Sequence, residues 1–310
     1  MGEHIVTRGY CRLLSIASLM TYLLIVMGGV VCVTGSGLGC PDWPMCYGQI
    51  IPPLDMGAII ETTHRFFAAA TTPLIVAAAV LGWRRYRSVR WLSRPAVIAV
   101  VLVLAVVVFG AFAVLTGLPP VVAAIDVGSA LMVLALVLTT WRVALARRDN
   151  PDLPDRLAFR TPFAKLTLSA LAAVFLVLVG GVLVAEVGSV ARCVGWPLYG
   201  VVAGAGEIGG SLPAARRVLG VVAAGLIVAV TIQAWRRHRD NAPLRRAATA
   251  LAGALAVEAV AGMLMVAHGF TLVYGALYAA AASGTWALLV VLAVLAATPL
   301  CVSDADRPAR

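Results

Sequence analysis

The feature that most constrains this chain is a series of apolar runs, each about 20 residues long, the length needed to cross a bilayer as a helix. They fall near 13–33, 64–83, 96–116, 121–141, 165–185, 217–235, 247–267 and 272–299. A segment in hydrocarbon must satisfy its backbone hydrogen bonds internally, so these runs predict helices. Hydrophobic residues make up 62% of the 310 and charged residues 12%, well below the charged share of a soluble domain. The fold class expected is an all-α integral membrane protein of eight transmembrane helices. The first run follows Arg8 and Arg12 as a signal peptide would, but it exceeds a signal core in length and lacks a small-residue cleavage site, so it is read as retained.

The net charge of +10 invites a nucleic-acid reading, and the distribution of that charge excludes it. Basic residues cluster beside helix ends: Arg84, Arg85, Arg87, Arg90 and Arg94; Arg142, Arg147 and Arg148; Arg236, Arg237, Arg239, Arg245 and Arg246. With eight crossings these clusters share one side with both termini. Only Arg65, Arg192, Arg216 and Arg217 fall on the other. By the positive-inside rule the crowded side is cytoplasmic, which places both termini there.

The second half repeats the first at an offset of 152–153 residues. Gly35-Ser36 corresponds to Gly188-Ser189, Cys40-x-x-Trp43-Pro44 to Cys193-x-x-Trp196-Pro197, Arg65 to Arg217, Gly110 to Gly262 and Gly117 to Gly269. Each half reads as helix, long exterior loop, then three helices. The expectation is two tandem four-helix bundles in the same orientation, over 1–150 and 151–310, with sites built from side chains on facing helices.

The long exterior loops cover about 34–62 and 186–215. The first carries V-T-G-S-G-L-G-C-P-D-W-P-M-C-Y-G over residues 33–48. Cys40 and Cys46 face an oxidising compartment, where a structural or redox-active disulfide can persist; two free thiols are the alternative. Cys11, Cys32 and Cys301 are assigned no role.

Glu61-Thr62-Thr63-His64-Arg65 opens the second predicted helix. The i, i+3 spacing sets Glu61 and His64 on one face. A neutral imidazole there can ligate iron, and the carboxylate can orient a reacting group or relay a proton. The same residues also read as a helix entry with Glu61 favoured by the dipole. Asp126, about two turns into the fourth helix, is costly in hydrocarbon and should face the bundle interior, with His64 or Arg65 as its expected partner. Glu258 in the seventh helix invites the same reading. His268 reads as interfacial, and His4 and His238 as flanking residues.

Taken together, G-L-G-C-P-D-W-P-M-C-Y-G, E-T-T-H-R and L-T-G-L-P-P resemble the haem A synthases, a family that includes mitochondrial cytochrome oxidase assembly members. The resemblance implies oxidation of the C8 methyl of haem O to the formyl of haem A for terminal oxidases. It also implies a bacterial plasma membrane location, with haem O, haem O synthase and terminal oxidase subunits as partners. Each bundle of that family contributes two histidines to haem iron: the first holds substrate beside an essential glutamate, and the second holds a haem b cofactor. Its exterior cysteine pair supports the site. Carried over by position, Glu61, His64, Cys40 and Cys46 match. Asp126 stands where the second ligand of the first bundle is expected. In the second bundle Arg216 stands opposite His64, Tyr278 opposite Asp126, and Tyr199 opposite Cys46, which leaves Cys193 unpaired.

Arginine does not ligate iron, so haem b in the second bundle is in doubt. Tyr278 can in principle ligate as a phenolate, and Asp126 can hydrogen-bond His64. Arg65, Arg216 and Arg217 are placed to pair haem propionates. Two readings follow: an active synthase using Glu61 and His64, or a non-catalytic haem-binding or oxidase-assembly homologue. A small-molecule transporter is the third class; against it, no apolar run shows a clear midplane Gly/Pro break.

Overall fold

The computed structural model describes residues 5–184, 211–269 and 271–298. The second long loop with Cys193 and Tyr199, the N-terminal His4 and the tail with Cys301 lie outside the described residues.

Among the described residues, eight helices are long and apolar enough to cross a membrane. They are α1 Arg8–Val33, α2 Met56–Tyr86, α3 Arg90–Leu115, α4 Pro120–Asp149, α5 Pro162–Val184, α6 Ser211–Arg237, α7 Ala242–His268 and α8 Leu272–Ala297. Their starts follow from local chemistry. Thr7, Asp55, Asn241 and Thr271 each accept a backbone N–H of the first turn, at α1, α2, α7 and α8, satisfying donors that the helix cannot. Pro120 opens α4, where its missing N–H and fixed φ cost nothing.

The Asp55 cap corrects the sequence expectation for α2. Hydropathy sets the start near 64, yet the helix begins eight residues earlier at Met56. Glu61 and His64 therefore stand inside the helix, in its second and third turns. Pro73 lies mid-helix without breaking α2. Nearby Thr71 and Thr72 donate to the carbonyls of Phe67 and Ala68, the kind of side-chain help that lets spanning helices tolerate proline.

Helices α1 to α4 pack consecutively and close through α1 against α4; α5 to α8 close likewise through α5 against α8. The two rings meet where α1 and α4 lie against α8 and where α4 lies against α5. Helix α8 is the most enclosed, with 67% of its central window buried against 17–39% for the others. Small residues explain the close approach: a Cβ on Gly29 would lie 2.5 Å from the Ala279 Cβ, and one on Gly275 would collide with Val33. Hydrogen bonds between the rings include Tyr22 to the Ala280 carbonyl (2.9 Å) and Trp286 to the Leu131 carbonyl (2.9 Å). At the arginine-rich end, Asp155 of the α4–α5 linker accepts from the N–H groups of Arg90 (2.6 Å) and Trp91 (3.3 Å), capping α3 from outside.

Candidate functional site

The cysteine loop is a covalent ring seated on α2. Cys40 and Cys46 form a disulfide with a Cα–Cα distance of 4.8 Å, and both are buried. Within the ring, the Asp42 carboxylate accepts from the N–H groups of Tyr47 (2.6 Å) and Gly48 (2.7 Å). These bonds hold the carboxyl of Asp42 below the usual carboxylate range, the Gly48 N–H contributing most. Tyr47 and Gly48 both take left-handed backbone, which the turn requires. Gly39 is needed for contact: a Cβ there would run into the Gly57 backbone at the start of α2.

Two side chains of α2 bind this ring. Glu61, 3% exposed, accepts from the Cys40 N–H at 2.8 Å through one oxygen and pairs with Arg65 through the other. Arg65 also donates to the carbonyls of Asp42 (2.9 Å), Pro44 (3.4 Å) and Met45. One helix turn thus supplies a carboxylate for a loop N–H and a guanidinium for three loop carbonyls. Arg65 was expected as a partner of Asp126 or of a propionate; the bonds it makes are to Glu61 and the loop.

His64 stands one turn deeper, half-buried, with Nε2 turned to α1, 3.3 Å from where a Cβ on Gly28 would sit. Asp126, on α4, is half-buried; its Oδ1 is enclosed without a hydrogen-bond partner and lies 4.0 Å from where a Cβ on Gly110 of α3 would sit. The expected bond from Asp126 to His64 or Arg65 is therefore absent at this oxygen. The reason is geometric. Helices α2 and α4 stand diagonally across the first ring, each packing on α1 and α3, so His64 and Asp126 look towards different neighbours. An enclosed carboxylate oxygen without a donor suits a ligand that supplies one.

The second ring is arranged differently. Tyr278, 2% exposed, donates to Glu258 Oε1 at 3.3 Å, and Thr285 donates to Glu258 Oε2 at 3.1 Å. Arg216 donates from Nε to the Val177 carbonyl at 3.5 Å. Arg217 is half-buried beside it on α6; no described hydrogen bond or ion pair brings it to His64 or Asp126. His268 is exposed, its ring centroid 6.1 Å from that of Tyr274.

Sequence reasoning passed over Asp42, although an aspartate followed at short range by Tyr-Gly is a recognisable turn signal. It also gave Cys32 no role, whereas Cys32, in the last turn of α1 at the end of the helices that bears the loop, is disulfide-bonded. A cysteine inside an apolar run offers hydropathy nothing to distinguish it.

Spanning helices in two closed rings, with a disulfide ring anchored on a buried Glu–Arg pair, define a polytopic membrane protein. The cytochrome oxidase assembly protein family matches residues 11–59 and 56–292, and the chain belongs to it. It is 35% identical over 133 residues to a heme A synthase of Bacillus pumilus (strain SAFR-032), which covers 41% of this chain and 42% of that protein. It is 34% identical over 132 residues to heme A synthases of Bacillus cereus (strain AH187) and Bacillus anthracis (strain CDC 684 / NRRL 3495), with 42% of each chain covered. The chain thus spans about two-fifths of the length of these curated relatives.

Proposed function

We propose that this protein acts in cytochrome oxidase assembly by taking haem O as substrate in its first half and oxidising the C8 methyl towards the formyl of haem A. The observation that carries this is the enclosed, partnerless Asp126 oxygen in the same ring of helices as His64, beneath the disulfide loop that Glu61 and Arg65 anchor. His64 would hold the iron of the bound haem. Asp126 offers the bound substrate a carboxylate oxygen that no protein group engages. Glu61, through Cys40 and Arg65, fixes the disulfide ring as the cap over the site. The bound haem supplies the redox centre. Turning a methyl into a formyl adds one oxygen atom, taken from water, and releases four protons and four electrons, the electrons passing to an acceptor outside this chain.

The halves 1–150 and 151–310 divide the labour, the first carrying the substrate site. The arginine clusters support a bacterial plasma membrane orientation with both termini cytoplasmic and the cysteine loop exterior. Haem O synthase and terminal oxidase subunits are the partners this role requires. A second reading, a haem-binding assembly factor without catalysis, is favoured by the engagement of both Glu61 oxygens with the loop and Arg65. Expression in membranes that make haem O separates the two. Haem A in the extract supports the oxidase reaction, bound haem O left unconverted supports the assembly factor, and no bound haem defeats both.

A further inference from the structure

The internal repeat allows the two halves to be compared position by position. Displaced by 152 residues, His64 and Asp126 become Arg216 on α6 and Tyr278 on α8. In the first ring the imidazole of His64 packs against Gly28 and the carboxylate of Asp126 has an oxygen without a partner. In the second ring the same positions are occupied and bonded. Tyr278 and Thr285 of α8 together engage both oxygens of Glu258 on α7. Arg216 reaches from α6 to the Val177 carbonyl of α5, and its Nη2 lies 2.6 Å from where a Cβ on Gly181 would be. The network therefore ties α5 to α6 and α7 to α8.

We infer that the second half holds no haem and that each chain carries a single haem, in its first half. The placement in the first half rests on the function proposed above; the exclusion from the second stands on the network itself. A guanidinium offers iron no lone pair at physiological pH. For Tyr278 to act as a ligand, its hydroxyl would have to leave Glu258, stripping a donor from an enclosed carboxylate. The glycines of the two rings correspond at an offset of 153: the space beside Gly28 is taken by the His64 imidazole and the space beside Gly181 by the Arg216 guanidinium.

The test is haem stoichiometry on the full chain, purified in detergent and reconstituted with haemin, counted by the pyridine haemochrome against protein concentration. One haem per chain is expected, and two would overturn the inference. His64→Ala should lose the whole Soret band; a band retained at one haem per chain would place haem in the second half and overturn it. Arg216→His combined with Tyr278→His should raise the count by one, with the sharp ferrous bands of bis-histidine ligation. Thr285→Val, which trims the network without offering a ligand, should leave the count unchanged. A wild-type count of zero with one haem in the histidine double variant would defeat the first-half reading and uphold the exclusion of haem from the second.

Discussion

Replacing Arg65 by methionine isolates the anchoring of the cysteine ring. The substitution keeps an unbranched side chain of similar length and removes the cation. It leaves Glu61 Oε1 without its partner and takes a donor from the carbonyls of Asp42, Pro44 and Met45. Removing one member of a buried ion pair costs about 3–5 kcal/mol, because the other charge stays enclosed. Glu61 is 3% exposed but keeps the Cys40 N–H, and the Arg65 side chain is 15% exposed. The lower end, about 3 kcal/mol, therefore applies. If the ring is reduced through local opening, that cost accelerates reduction of Cys40–Cys46 by about 100-fold. The assay follows the disulfide by alkylation and mass shift after timed exposure to a phosphine reductant. Adding Glu61→Gln to Arg65→Met removes the stranded charge, so the double variant should be reduced more slowly than the single. Equal rates in the single and double variants would refute the argument, since they would mean that the buried carboxylate never depended on the guanidinium.

Three further outcomes follow from particular contacts. Because the Gly48 and Tyr47 N–H groups hold the carboxyl of Asp42 below its ordinary range, its contribution to the loop is complete above about pH 4 and is lost as pH falls through the depressed value. Trp43 emission should therefore show an acid transition below pH 4 that Asp42→Asn lacks; a midpoint above 4 contradicts this. Gly28→Ala sets a methyl 3.3 Å from His64 Nε2 and should weaken the Soret band while raising thermal stability by about 0.5–1 kcal/mol through helix propensity. An undiminished band would show that Nε2 is not the ligating atom. Asp155→Ala removes the outside cap on α3 and should cost about 1 kcal/mol in thermal unfolding; no change would mean that water replaces the carboxylate at Arg90 and Trp91.

The sequence by itself determined the number of crossings and their helical state, through bilayer thickness and the need to satisfy backbone groups in hydrocarbon. For Cys40 and Cys46 it left a disulfide and free thiols both open, and the fold settles the disulfide. The sequence also brought Glu61, His64 and Arg65 together on one turn, because helical spacing is local. What only the tertiary structure decided is where those side chains lead. Glu61 and Arg65 turn to the loop, Asp126 turns to Gly110 and away from His64, and Glu258 finds Tyr278 and Thr285. These outcomes depend on the rotation of each helix about its axis and on which neighbour it packs against. Hydropathy leaves both open, since apolar residues surround these helices on every side. Small-residue contacts such as Gly29 with Ala279 and Gly275 with Val33 bring α1 and α8 together, and packing of this kind, together with buried hydrogen bonds, settles which polar group meets a partner and which is left for a ligand.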